Sequence, residues 1–214
     1  MGAKTWMLVY CEGNPVEILK SNPVLDQAAT REFAQQLFPS EKITFSREGD
    51  LSYTMPDDDE LIVGCFPGLK IIAAAEFGID YPSRLDAWFV EACPGHDVYM
   101  HVMHSAVDFF GYAVWKGGQL QRALSLSPDS GIMDYIGDKL PFEQPYWNGE
   151  HPALDPEEEE EYPFPFHPLE LGEAALAALF GYQLEGFINP ELLEPETIPL
   201  LHFKRKKSWW RFGK

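Results

Sequence analysis

VYMHVM (98–103), VDFFGYAVW (107–115) and QLQRALSLS (119–127) are three apolar runs separated by short breaks, and how they are read decides the fold. Val, Phe, Tyr and Trp dominate up to Lys116-Gly117-Gly118, a two-glycine hairpin signal between the second and third runs. A helical reading competes over 101–112. It would place His101, His104, Ser105, Asp108 and Tyr112 on one face, and Val102, Met103, Val107 and Phe110 on the other. The β-branched and aromatic content favours strands, so a three-strand antiparallel meander is expected. On a strand, His101 and His104 point to opposite faces, and the pair cannot ligate one metal.

Working outward, TWMLVY (5–10) reads as a buried first strand ending in the turn at Glu12–Pro15. Asp26 is placed to cap a helix whose Phe33, Ala34 and Leu37 share a face, with Pro39 as its stop. Short edge strands are expected at 43–45 and 51–53, and a core hairpin at 61–66 and 69–77 around Pro67-Gly68. Ser83 is expected to open a helix running to about Cys93. ELGEAALAALF (170–180) is a helix ended by Gly181, and IPLLHF (198–203) a last strand. The stretch from Pro141 to Pro168, both included, holds seven prolines, a run of five glutamates (157–161) and six aromatic residues. This composition predicts a long irregular loop wrapped on the body, with the glutamates at its tip. The expected class is therefore α+β: one acidic domain over 1–203, mainly antiparallel sheet with about three helices, followed by a basic tail at 204–214.

The chain has 214 residues and a net charge of −18. The last eleven residues hold six of the 16 basic ones, which leaves ten basic against 34 acidic residues in 1–203, a net −24. So acidic a body repels phosphate and is not expected to bind nucleic acid. Three widely spaced cysteines, Cys11, Cys65 and Cys93, imply neither a disulfide framework nor a zinc knuckle and fit buried thiols in a cytoplasmic protein. The first residues lack the pattern of a signal peptide, and no apolar run is long enough to span a membrane.

No GxSxG, Walker, HExxH or GxGxxG motif is present. The residues able to do acid/base chemistry are His104, Asp108, Asp129, Glu150, His151 and His167, all expected near strand ends or loops. No metal site is expected, and no cofactor is implied. In the tail, Lys204, Arg205, Lys206, Lys207 and Arg211 flank Trp209 and Trp210, a pattern suited to weak contact with an anionic membrane surface. The same segment could instead dock on its own acidic body.

MGAKTWMLVY, VMHSAVDFFGYAVWKGGQLQRALSLSPDSGI, IGDKLPFEQPYWNGEHP and PFHPLELGEAALAALFGYQLEG together resemble an uncharacterised bacterial family catalogued as a domain of unknown function. The resemblance reaches about Gly186 and excludes the segment after His202. It implies a bacterial cytosolic protein and supplies no activity, cofactor or catalytic residue. The function expected is a non-enzymatic binding or interaction protein with a protein or small-molecule ligand. Two alternatives stand beside it: a hydrolase-type enzyme using the His/carboxylate residues, and peripheral membrane association through the tail.

Overall fold

The computed structural model describes residues 2–153, 162–186 and 189–207. Among the described residues, nine strands form one sheet: β1 (Lys4–Cys11), β2 (Glu41–Asp50), β3 (Glu60–Phe66), β4 (Leu69–Ala73), β5 (Asp97–His104), β6 (Phe109–Lys116), β7 (Gln119–Ser127), β8 (Gly131–Ile136) and β9 (Pro199–Lys207). Their order is β2-β9-β3-β4-β1-β5-β6-β7-β8, and every neighbouring pair is antiparallel.

Both faces of this sheet are covered, which explains why its central strands read as unbroken apolar runs instead of alternating ones. Residues 61–66 of β3 and Phe109–Trp115 of β6 are buried throughout. One face carries α1 (Pro15–Lys20), α4 (Gln144–Trp147) and α5 (Pro168–Phe180) over Met7, Val9, Met103, Phe110 and Tyr112. The other carries α2 (Gln27–Leu37) and α3 (Ala87–Val90) over Leu8, Tyr10, Met100, Val102 and Trp115. Gly172 lets α5 approach the sheet, since a Cβ there would come within 2.6 Å of Met103 Sδ.

Several expectations hold. The runs at 98–127 are strands paired in sequence order, Asp26 caps α2 through the amides of Ala28 and Ala29, and Gly181 ends α5 at φ 81°. Others need correction. Of the two short strands expected at 43–45 and 51–53, the first lies within a ten-residue edge strand, β2, which runs through the expected turn because Glu48 and Gly49 continue the ladder opposite Leu201 and Leu200; residues 51–53 lie outside every strand. The helix expected from Ser83 is one turn long and starts after Asp86, whose carboxylate accepts the Trp88 amide. Ser83 donates its amide to buried Asp134 of β8 instead. Pro15, expected in a turn, opens α1 with Asn14 as its cap. The 141–168 stretch is less irregular than its prolines imply, because Pro141, Pro145 and Pro168 stand in the first turns of short helical segments, where a missing N–H costs nothing. Its aromatics do wrap the body: Trp147 and Phe166 meet edge to face at 4.8 Å, and Phe166 is fully buried. The five-glutamate run lies outside the described residues.

The basic segment also shifts. Lys204–Lys207 belong to β9, paired with β2 along their whole length. Lys204 Nζ lies 3.0 Å from both Asp59 and Glu60. Arg205 is 4% exposed, and its Nη1 and Nη2 donate to the two carboxylate oxygens of Glu76 at 2.8 and 2.7 Å. These two cations are held by carboxylates of the body. Trp209, Trp210 and Arg211 lie outside the described residues.

Candidate functional site

The residues named for acid/base chemistry divide among three places. His104, at the end of β5, and Asp129, in the β7–β8 turn, line one cleft of about 310 Å³ with Trp6, Asp80 and Ser127. Strand alternation puts Trp6 and His104 on the α2 face, with ring centroids 6.4 Å apart. His104 Nδ1 accepts the Ala106 amide at 3.3 Å, which leaves the proton on Nε2. No hydrogen bond joins His104 to Asp129.

Asp108 and His167 form a second group. Asp108 sits in the β5–β6 turn at φ 46°, and its carboxylate is 3.7 Å from His167 Nε2. His167 Nδ1 accepts the Leu169 amide and so caps α5. Tyr162 stacks on the His167 ring at 5.8 Å, and burial beside Asp108 pushes its phenol up to about 12. The Nδ1 bond identifies His167 as a helix cap. Glu150 and His151 lie elsewhere, exposed, with His151 stacked on Tyr146 at 4.3 Å.

A larger cleft among the described residues, about 660 Å³, is one that sequence reading did not find. It lies at the Lys4 end of the sheet, where three distant segments meet: Gly2–Lys4, Ser52–Met55 and residues on either side of 187–188. Tyr53, Met55, Leu184, Leu192 and Leu193 supply apolar walls. The charged lining is Lys4 with three carboxylates, Glu185, Glu194 and Glu196, none of which makes an ion pair among the described residues. One wall is pinned from behind. Glu173 of α5, 8% exposed, accepts the amides of Leu184 (2.8 Å) and Glu185 (3.2 Å). Burial pushes its carboxyl up to about 7, despite those two hydrogen bonds. The only sequence signal was a glutamate on the apolar face of α5, at the place where a helix presents residues to its core.

Two further buried polar groups are structural. His101, fully buried in β5, donates from Nε2 to the Gly172 carbonyl (3.0 Å) and accepts the Thr5 hydroxyl at Nδ1 (2.6 Å). Desolvation lowers its pKa to about 4, so it is a neutral core histidine. Arg122 and Glu143 pair on the same face with neither side chain exposed. Among the described residues, no group of three His, Cys, Asp or Glu side chains could hold a metal ion.

A family model described as a family of unknown function (DUF6928) matches residues 5–203, so the chain belongs to that family. No curated protein and no solved structure matches it.

Proposed function

We propose that this member of the DUF6928 family is a cytoplasmic, single-domain binding protein whose ligand occupies the cleft at the Lys4 end of the sheet. One observation carries the reading: a cleft of about 660 Å³ with apolar walls and three carboxylates that make no ion pair among the described residues. That volume falls in the range of small-molecule sites, which are mostly apolar with a few placed polar groups. Three carboxylates against one ammonium favour a ligand with an apolar body and a cationic group. The family carries no assigned activity, and three buried free thiols support a reducing compartment.

The test uses small probes of one shape and three charges: 2-phenylethylamine, 2-phenylethanol and phenylacetate. The amine is expected to shift the amide resonances of Lys4, Tyr53 and Leu193, phenylethanol to shift them less, and phenylacetate not at all. Glu194→Gln/Glu196→Gln should weaken the amine. Equal shifts from amine and carboxylate, or none from any probe, would defeat the proposal.

A second reading, hydrolase-type acid/base chemistry, rests on His104, Asp129 and Ser127 lining one cleft. It requires that His104→Gln and Asp129→Asn each abolish hydrolysis of a chromogenic ester or phosphate that the parent chain cleaves. No cleavage of either substrate class by the parent removes it.

A further inference from the structure

We infer that the last seven residues of the sequence, Ser208–Lys214, dock on the chain's own body, in the depression formed by Trp6 and the acidic turn Asp57–Asp59. The depression measures about 410 Å³ and is lined by Trp6, Met55, Pro56 and the three aspartates. It adjoins the cleft of the binding reading above, sharing Met55 with it, but neither reading depends on the other.

The path of the chain is the first support. The Arg205 amide donates to the Asp59 carbonyl (2.8 Å), and Arg205 Nε donates to the Asp58 carbonyl (3.0 Å). Arg205 is therefore fixed against this turn two residues before the described segment ends at Lys207. Seven further residues reach about 23 Å when extended, more than enough to cross the depression.

Complementarity is the second support. The segment SWWRFGK brings two cations and three aromatic rings. The depression offers the Trp6 indole, half-buried at the start of β1, for stacking or a cation–π contact. Asp59 already holds Lys204, whereas the carboxylates of Asp57 and Asp58 make no ion pair among the described residues. A short tether holds the segment at roughly millimolar effective concentration, so a contact of only about millimolar intrinsic affinity would be half populated. An anionic membrane is the poorer partner, because it must accept a body of net −20 (14 basic against 34 acidic residues in 1–207) together with the segment.

The full chain, labelled with a nitroxide through Gly213→Cys, tests this by paramagnetic broadening of amide resonances; the three native thiols are buried. Broadening is expected to concentrate on residues 55–59 and the Trp6 indole N–H. Losing two exposed ion pairs should weaken the contact about fivefold in Asp57→Asn/Asp58→Asn, so that broadening from a half-populated contact falls about threefold, and it should decline in 1 M salt. Trp6→Phe should weaken it as well, while the remaining resonances stay in place and report an intact fold. Uniform or absent broadening overturns the inference, and so does broadening unchanged by Asp57→Asn/Asp58→Asn. A third overturning result is sedimentation of the unlabelled chain with phosphatidylserine-containing vesicles at 150 mM salt, lost in Trp209→Ala/Trp210→Ala.

Discussion

Arg122 grips Glu143 with two parallel hydrogen bonds, Nε to Oε1 at 2.9 Å and Nη2 to Oε2 at 2.7 Å, and neither side chain reaches solvent. Every remaining group in the network has a partner. The Tyr112 hydroxyl (2.6 Å) and the Leu140 amide (2.7 Å) donate to Glu143 Oε1, and Arg122 Nη1 donates to the carbonyls of Ala123, Ile136 and Gly137. The network ties the segment entering α4 to strands β6, β7 and β8.

Breaking this pair from one side should cost far more than removing it. Glu143→Ala strands a buried guanidinium and is expected to lower unfolding free energy by about 3–5 kcal/mol, measured by urea denaturation. Arg122→Met/Glu143→Leu should lose much less, because no charge is left unpaired. Equal losses would mean the pair is not desolvated as the geometry indicates.

His101 and Glu173 should push the pH dependence of stability in opposite directions. His101 titrates near 4 when folded, below its ordinary 6.5, so the unfolded chain binds more protons between those values and stability falls as pH drops through that window. Glu173 titrates near 7, above its ordinary 4.5, so the folded chain binds more protons and stability falls as pH rises from about 4.5 to 7. Each slope is at most about 1.4 kcal/mol per pH unit. His101→Gln should expose the Glu173 slope, and Glu173→Gln the His101 slope, in denaturation series from pH 4.5 to 6.5. Parallel profiles for both variants and the parent would refute the assignment.

Gly137 admits no side chain. Its φ is 75°, and a Cβ would stand 1.9 Å from the Gln121 carbonyl oxygen, a backbone atom. Gly137→Ala is expected to destabilise by about 3 kcal/mol through displaced backbone and left-handed strain, read as a fall in Tm. Gly149→Ala has a similar φ with open space around it and should cost about 1 kcal/mol.

The three cysteines should be silent in the native state. All are buried, and burial pushes Cys11 up to about 11 and Cys65 up to about 12. A thiol reagent at pH 8 should modify none until denaturant is added, then three at once. Fast reaction of a single thiol in the native chain would show a local opening.

The sequence by itself determined the elements whose signals are local. Asp26 as a cap, Gly-Gly at 117–118 and the β-branched, aromatic runs at 98–127 act over a few residues, and each element stands where they placed it. It also carried the family. Only the tertiary structure decided the features that depend on distant partners. β8 was not legible because buried Asp134 interrupts its pattern, and that carboxylate is stabilised by the Ser83 amide, 51 residues away. Lys204–Lys207 read as part of a basic tail, yet they extend β9, where carboxylates of Asp59, Glu60 and Glu76 meet Lys204 and Arg205. The cleft of about 660 Å³ forms where residues 2–4, 52–55, 183–185 and 189–196 converge, and no local pattern encodes a meeting of segments so far apart. Charge and apolarity belong to residues; whether a charge is solvated, paired or lining a cleft is set by what the fold brings beside it.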